Sequence, residues 1–252
     1  MVSTPSTLSD LLFARAQGTP ATVSFLNAAG DVVQKLSYDE LYRDSLRDAQ
    51  RLLAAGLNPS KDIVITSFSD HESHIRLFWA CCMGELPSGQ ARSVLADSFS
   101  NPAGIPVSPI PPLHPDPSRQ TLFFNHLQSL FHKPTLIATK QTISDVEKVA
   151  PGIKALSLAD LRTQAIDATT EAAVYPARRI SPDDTVCLML TSGSTGNSKA
   201  VALRHSNLLS SVRGKSRHHG TTPRSQFLNW IAFDHVACVS EIHIHALELN
   251  AQ

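Results

Sequence analysis

The sequence predicts an α/β fold in which helices cover mostly parallel β-sheets. Short apolar runs typical of buried strands, such as residues 63–68 and 186–190, alternate with longer segments that carry helix-capping patterns. This alternation is typical of parallel sheets, because the connection between two parallel strands has to cross back over the sheet. The chain has 252 residues, of which 42% are hydrophobic, which is enough to bury a substantial core.

The first elements are predicted from β-propensity and a capping pattern. Residues 22–26 and 32–36 are two short β-prone runs around a turn segment, and they predict a hairpin. Ser37 is followed three residues later by Glu40, which is a capping-box pattern for a helix N-terminus. We expect this helix to continue to Gly56, a residue type that commonly ends helices.

The later elements follow the same logic. The buried strand at residues 63–68 is followed by Ser69 and Glu72, a second capping-box pattern, which predicts a second helix. Further elements are a helix near 119–131, a strand at 135–138, a helix near 143–149, the strand at 186–190 and a helix over 239–249. Residues 163–184 have no clear period, and we expect a loose connection there.

The most informative segment of the chain follows the apolar run at residues 186–190. It reads Thr-Ser-Gly-Ser-Thr-Gly-Asn-Ser-Lys from Thr191 to Lys199. Glycines allow tight turns and close backbone approach, while hydroxyls and a lysine favour anionic oxygens. The segment therefore predicts a phosphate-binding loop. Its candidate ligand-binding residues are Thr191, Ser192, Gly193, Ser194, Thr195, Gly196 and Lys199.

Other interpretations of this loop fit the residues less well. A Walker A loop requires Gly-Lys-Ser/Thr, whereas Lys199 follows Ser198. A nucleophile elbow requires Gly-x-Ser-x-Gly, whereas only two residues separate Gly193 from Gly196. A surface connection rich in serine and glycine is the simplest alternative, but the complete string directly after an apolar strand is more specific than such a connection.

The loop resembles the phosphate-loop signature of adenylate-forming enzymes, which include acyl-CoA synthetases, luciferases and the adenylation domains of nonribosomal peptide synthetases. Residues 36–41 (Leu-Ser-Tyr-Asp-Glu-Leu), His205 and residues 233–236 (Phe-Asp-His-Val) resemble other motifs of that family. Ser198 and Ala200 stand where the family usually has proline and glycine. Together with Phe-Asp-His-Val, these two changes are similar to fungal nonribosomal-peptide-synthetase-like proteins.

The resemblance implies an ATP-dependent ligase of fungal secondary metabolism. In that reaction a carboxylic or amino acid attacks the α-phosphate of ATP, and the resulting acyl-adenylate is passed to a carrier-protein phosphopantetheine thiol. ATP and Mg²⁺ are the implied cofactors, and Lys199 and His235 are candidate catalytic residues.

Asp234 and His235 are candidate substrate-binding residues by the same resemblance. In amino-acid-activating relatives an aspartate at this place pairs with the substrate ammonium group, while a histidine lines the carboxylate pocket of acyl and aryl relatives. The sequence leaves open which of the two faces the substrate. A simple helix cap is the alternative role for Asp234.

The resemblance also implies that residues 1–252 form an incomplete N-terminal subdomain. The family's aromatic-Gly-x-Thr-Glu motif, its ribose-binding aspartate and the lysine of its C-terminal subdomain do not follow His235 in this sequence. We therefore expect a truncated chain without the C-terminal subdomain that does not form acyl-adenylates alone. A non-catalytic gene fragment or mis-spliced remnant, with at most weak polyphosphate binding, is the alternative.

Residues 84–103 interrupt the predicted domain. A structureless stretch of this length is uncommon inside a compact domain, and the family usually joins the flanking elements closely. A surface insertion is one interpretation. A retained intron is the other, because Gly84-Glu85-Leu86 can be encoded with a splice donor and Pro102-Ala103-Gly104 with a terminal acceptor.

The composition argues against several functional classes. A formal net charge of +0 gives no reason to expect nucleic acid or an anionic membrane as a partner. No apolar run is long enough to span a bilayer and the N-terminus lacks a signal-peptide profile, so we expect a cytoplasmic protein. The four cysteines have no framework spacing and predict reduced thiols. No metal site is expected among the histidines, since His243 and His245 would point apart on a helix.

Overall fold

The computed structural model describes residues 4–18, 20–59, 61–83, 104–164, 180–191 and 198–251. Within these residues, strands β1 (Thr22–Leu26) and β2 (Val32–Ser37) form an antiparallel two-stranded sheet, which confirms the predicted hairpin. A second sheet has six strands. They are β3 (Val64–Ser67), β4 (Val107–Pro109), β5 (Thr135–Ala138), β6 (Lys154–Ser157), β7 (Thr185–Leu190) and β8 (Ala200–Arg204).

The six-stranded sheet is mostly parallel, as predicted. Its strand order is β6-β5-β3-β4-β7-β8, and every neighbouring pair is parallel except β7 and β8. The helices connect and flank these strands. They are α1 (Leu8–Ala16), α2 (Tyr38–Ala54), α3 (His71–Cys82), α4 (Pro117–Leu130), α5 (Lys140–Val149), α6 (Leu158–Thr163), α7 (His205–His219), a π-helical segment (Ala237–His243) and α8 (Ile244–Leu249).

Alternating strand residues divide the core between the two faces of the sheet. In β3, Val64 belongs to the larger hydrophobic cluster and its neighbour Ile65 to the smaller one. The larger cluster contains side chains of α1, α2, α3, α7 and α8, whereas the smaller cluster contains side chains of α4 and α5. The molecule is therefore a three-layer α/β/α arrangement with the sheet in the middle.

The two predicted capping boxes have different outcomes. Ser37 caps α2 as predicted, since its hydroxyl accepts a hydrogen bond from the backbone N–H of Glu40 at 3.1 Å. The Glu40 carboxylate accepts from the guanidinium of Arg76 on α3, at 3.1 Å. The prediction for Ser69 is wrong: α3 begins one residue later than the pattern suggests, and Asp70 accepts from the Ser73 N–H at 2.6 Å. An aspartate is as effective a cap as serine, so the better-placed neighbour takes the role.

Three further predicted segments differ from the structure or lie partly or wholly outside the described residues. The helix expected over residues 239–249 is split into the π-helical segment and α8. The loose connection expected at 163–184 begins inside α6 and has residues 165–179 outside the described part. The insertion or intron at 84–103 also lies outside the described residues. Within the residues that the structure describes, no helix has the length and apolar character needed to cross a bilayer.

Candidate functional site

The two ends of the predicted phosphate loop lie side by side. Leu190, the last residue of β7, is paired with Ala200, the first residue of β8. Beyond this pair, the Thr191 N–H donates to the Lys199 carbonyl at 2.8 Å, and the Lys199 N–H donates to the Thr191 hydroxyl at 3.0 Å. Ser192, Gly193, Ser194, Thr195 and Gly196 lie outside the described residues. The structure therefore defines the base of the loop.

The Lys199 side chain is exposed at this base. No ion pair of Lys199 occurs among the residues that the structure describes. Other lysines of the chain do have carboxylate partners, such as Lys140 with Asp160 at 2.7 Å and Lys215 with Glu241 at 2.9 Å. Lys199 thus presents a positive charge that no described carboxylate neutralises, as a phosphate-binding lysine requires.

The loop base lies at the carboxyl edge of the six-stranded sheet. Strands β3, β4 and β7 run in the same direction, so their carboxyl ends meet at one edge. Thr191 follows the last residue of β7 at that edge. In open α/β sheets, ligands bind in the crevice outside the carboxyl ends of the strands.

The Phe-Asp-His-Val motif is anchored at the carboxyl end of β3. The imidazole of His74 on α3 is hydrogen-bonded to the Thr66 hydroxyl of β3 at 3.1 Å. The same ring stacks on Phe233, with ring centroids 5.7 Å apart and planes inclined by 15°. Phe233 is buried, so the motif is fixed through its aromatic residue. Because β3 and β7 are separated by one strand, the carboxyl ends of these two strands lie two strand spacings, about 10 Å, apart along the sheet edge.

A second set of contacts holds the chain just before this motif. His71, on α3, donates from Nε2 to the Ile231 carbonyl at 2.9 Å. The Asn229 side chain accepts from the Ile231 N–H and donates to the Ile231 carbonyl, both at 3.0 Å, and it also contacts the Cys238 sulfur at 3.1 Å. No sequence pattern identifies His71, His74 or Asn229, since their roles depend on packing between distant segments.

Asp234 and His235 have different environments. His235 is exposed, and its Nδ1 accepts from the backbone N–H of Ala237, the first residue of the π-helical segment, at 3.1 Å. Asp234 does not have the capping role that was its alternative, because Val236 precedes the π-helical segment and no side chain caps it. When neutral, this ring carries its proton on Nε2 and can donate a hydrogen bond there.

Asp234 is half-buried beside the His74 ring. It has no hydrogen bond or ion pair among the described residues. Burial is the main cause that lowers the pKa of His74, and the nearby carboxylates of Asp70 and Asp234 act in the opposite direction. A half-buried carboxylate without a cationic partner can accept a cation or a hydrogen-bond donor from a ligand.

His205, which supports the family resemblance, is a structural residue in this fold. It is 2% exposed, and its Nδ1 accepts from the Leu8 N–H at 3.1 Å, which joins the start of α7 to the start of α1. Burial lowers its pKa to about 4. The ring is therefore neutral at physiological pH and is a hydrogen-bond acceptor inside the core.

The histidine pair near the C-terminus also has structural partners. His243 accepts from the Trp79 indole N–H at 2.8 Å, while His245 contacts the hydroxyls of Ser216 and Thr221 at 2.8 and 3.1 Å. No group of three or more metal-ligating side chains occurs among the described residues. The prediction of reduced thiols is confirmed: all four cysteines are free and buried, and burial raises the pKa of Cys187 to about 12.

Comparison with known proteins identifies the family of the chain. A family model described as AMP-binding enzyme matches residues 103–248 of the chain. Microperfuranone synthase of Emericella nidulans is 33% identical over 246 residues, which cover 95% of this chain and 24% of that protein. Atromentin synthetase of Tapinella panuoides is 28% identical over 246 residues, covering 96% of this chain and 23% of the relative. The chain thus spans about a quarter of the length of the curated relatives it matches.

The fold is also that of a solved adenylation-type structure. The structure of McyG A-PCP complexed with phenylalanyl-adenylate superposes with a TM-score of 0.77 at 22% sequence identity. The match covers 98% of this chain and 36% of that chain. At this level of identity the comparison establishes the shared fold, and it confirms the predicted α/β architecture.

Proposed function

The chain belongs to the AMP-binding enzyme family, and on this premise we propose that it is part of an adenylation module of a fungal nonribosomal-peptide-synthetase-like protein. The module would activate a carboxylic or amino acid with ATP to an acyl-adenylate. A carrier-protein phosphopantetheine thiol would then accept the acyl group. The observation that carries the proposal is the loop base at the carboxyl edge of the sheet, where the exposed Lys199, which has no ion pair among the described residues, lies beside Thr191.

In this proposal Lys199 and the hydroxyl-rich loop bind the β- and γ-phosphates of ATP. An exposed ammonium group close to a strand terminus can stabilise the negative charge that develops on the leaving pyrophosphate. Backbone N–H groups of a glycine-containing loop contribute further donors. Magnesium would offset the remaining phosphate charge, and it commonly uses phosphate oxygens and water with few protein ligands.

The acid to be activated would lie over β3, next to Asp234 and His235. The two residues follow buried Phe233, which His74 and the core hold in place, so their backbone is positioned before a ligand binds. With Nδ1 occupied by the Ala237 N–H, His235 has Nε2–H available for a carboxylate oxygen. Asp234 could accept a substrate ammonium or hydroxyl group. The activation step then requires the α-phosphate of the bound ATP and the carboxylate of the bound acid to meet along the same sheet edge.

Ligand titration of this 252-residue chain tests the proposed phosphate site. We expect weak and similar affinities for ATP, GTP and inorganic pyrophosphate by calorimetry, and a lower affinity for AMP, because the loop binds the terminal phosphates and not the base. Lys199→Ala should weaken the binding of the first three ligands about ten- to a hundred-fold, since one charge-assisted hydrogen bond is worth roughly 1.5–3 kcal/mol. AMP binding should change little.

Lys154→Ala is the matched control for the loss of one charge. Lys154 is exposed at the start of β6, at the opposite edge of the sheet, and its replacement should leave pyrophosphate affinity unchanged. Equal losses of pyrophosphate affinity in both variants would show that the change in net charge, and not the position of Lys199, causes the effect. Binding that survives Lys199→Ala, or a strong preference for ATP over GTP, would contradict the proposed site.

A further inference from the structure

One contact of the loop base comes from helix α4, which is distant in the sequence. Nε2 of His126, on α4, lies 2.6 Å from the carbonyl oxygen of Ser198. A carbonyl can only accept, so the imidazole must carry its proton on Nε2 and donate it. The two residues are 72 positions apart in the chain.

The peptide group between Ser198 and Lys199 is therefore held at both of its polar atoms. His126 donates to its carbonyl oxygen, and its N–H, which belongs to Lys199, donates to the Thr191 hydroxyl at 3.0 Å. Because the peptide group is planar, two hydrogen bonds on opposite sides fix its rotation. The next peptide group is held as well, because the Lys199 carbonyl accepts from the Thr191 N–H at 2.8 Å. Together these bonds restrain the direction in which the Lys199 side chain leaves the backbone.

The strand pairing that restrains Lys199 from its C-terminal side does not extend to Ser198. Serine at 198 leaves φ free, unlike a proline, whose ring would fix it. Lys199 also precedes β8, which lies at an edge of the sheet, so only β7 pairs with that strand among the described residues. An external anchor is thus needed if the lysine is to have one orientation before a ligand binds.

Helix α4 can act as that anchor because it is rigidly seated. Asp116 caps its N-terminus, and Phe124 and Leu127 are fully buried on either side of His126. Both belong to the smaller hydrophobic cluster, against which Leu190 of β7 and Ala200 of β8 also pack. The helix and the two strands that support the loop therefore share one piece of core.

We propose that His126 is a positioning residue for the polyphosphate site: it orients the 198–199 peptide and thereby directs Lys199 towards the phosphates. The inference rests on the proposed function of the loop. It assigns to His126 no contact with the ligand. Its contribution is preorganisation, which raises affinity by reducing the conformational entropy that is lost on binding.

Calorimetry with inorganic pyrophosphate tests the proposal on the full chain. His126→Phe keeps an aromatic ring but removes the donor, and it should weaken pyrophosphate binding about three- to ten-fold. His126→Gln should restore the affinity to within about two-fold, because its amide nitrogen can donate from nearly the same place as Nε2. His218→Phe, at the exposed C-terminal end of α7, is the matched control and should bind as the unaltered chain does.

Hydrogen exchange of the Lys199 amide provides a readout that does not depend on ligand binding. In His126→Phe this amide should exchange faster, while the amide of Ala202 within β8 is unchanged, and His126→Gln should recover the protection. Unchanged exchange at Lys199 in His126→Phe would overturn the positioning role whether or not pyrophosphate binds. Loss of binding in Lys199→Ala but not in His126→Phe would overturn it as well, while leaving the proposed phosphate site intact.

Discussion

His205 illustrates how a motif residue can act through packing. The residue lies in a family-type motif just after β8, yet its ring is enclosed and joins α7 to α1 through the Leu8 N–H. Only an unprotonated Nδ1 can accept that hydrogen bond. Burial disfavours the charged form of the ring and lowers its pKa to about 4. Protonation would also break the bond to the Leu8 N–H.

The lowered pKa predicts a loss of stability in mild acid. In the unfolded chain the His205 ring titrates near its ordinary pKa of about 6.5, so below that pH the unfolded state binds more protons than the folded state. The contribution of the neutral ring is complete above pH 6.5 and is lost as the pH falls towards 4. Between pH 7 and pH 5, this one ring should lower the free energy of unfolding by about 2 kcal/mol.

Urea unfolding of His205→Asn at the two pH values measures this contribution. The Asn amide oxygen can replace Nδ1 as the acceptor for the Leu8 N–H but cannot titrate, so the variant should lose about 2 kcal/mol less than the unaltered chain between pH 7 and pH 5. Buried His243, whose pKa is also lowered to about 4, would still contribute in both proteins. The exposed control His218→Asn should keep the full pH dependence; a variant His205→Asn that does the same would contradict the assignment.

At the residue scale, the sequence identifies side chains whose roles are local. The proximity of Thr191 and Lys199 could be predicted, because a loop between adjacent strands brings the two residues together without reference to the rest of the fold. His74 and His126 could not, since the first acts through stacking on Phe233 and the second through a carbonyl 72 residues away. The roles of such residues are decided by which helix is packed beside which strand.

At the element scale, the sequence predicts α2 and the apolar strands β3, β5 and β7, but it does not predict α1, β6 or α6. Helix α2 begins directly after Ser37, as predicted, and it ends at Ala54, two residues before the predicted end at Gly56. In contrast, β6 and α6 are too short for a periodic pattern of four to six residues to stand out. Their position comes from tertiary pairing, as in the parallel register of β6 with β5.

The ends of the unassigned segment 84–103 meet in the structure. The Gly104 N–H donates to the Met83 carbonyl at 2.6 Å, and the Ile105 N–H donates to the Cys81 carbonyl at 2.9 Å. α3 and the start of β4 are therefore joined by direct hydrogen bonds. Removal of residues 85–103 would leave Gly84 between Met83 and Gly104, a three-residue turn of the kind that such a hydrogen bond closes.

We accordingly expect deletion of residues 85–103 to leave folding unchanged or to improve it. Each halving of a loop's length recovers about 0.6 kcal/mol of closure entropy, and no described contact between α3 and β4 is lost. Soluble yield and Tm of both forms measure the outcome. Gly104→Ala is an internal control: Gly104 has φ of +50°, and an added Cβ would lie 3.0 Å from Ile180, so it should lower Tm in both backgrounds. A clear loss of Tm on deletion alone would show that the segment is an integral part of the fold.

At the scale of the whole molecule, the larger hydrophobic cluster joins the beginning of the described chain to its end. Arg15 on α1 donates to the carbonyls of Leu247 (2.7 Å) and Glu248, at the C-terminal end of α8. Tyr38 of α2 donates to the Ala251 carbonyl at 3.2 Å. The last carbonyls of a helix have no partners within it, and cations are favoured there. Contacts of this kind make the C-terminal segment part of the common core, although no sequence pattern predicts them.

Arg15→Ala should therefore destabilise the whole molecule and not α8 alone. We expect the free energy of unfolding in urea to fall by about 1.5–3 kcal/mol per charged hydrogen bond lost, whereas Arg43→Ala, which removes an exposed pair with Asp39, should cost no more than about 1 kcal/mol.

A Trp230→Phe background leaves Trp79 as the only tryptophan of the chain. Trp79 is buried and hydrogen-bonded to His243 of the C-terminal segment. Because one cluster contains α1, α3 and α8, the fluorescence transition should coincide with the loss of helical circular dichroism in both Arg variants. Separate transitions would mean that the C-terminal segment folds as an independent unit, and equal costs for the two arginines would contradict the stabilising role of Arg15.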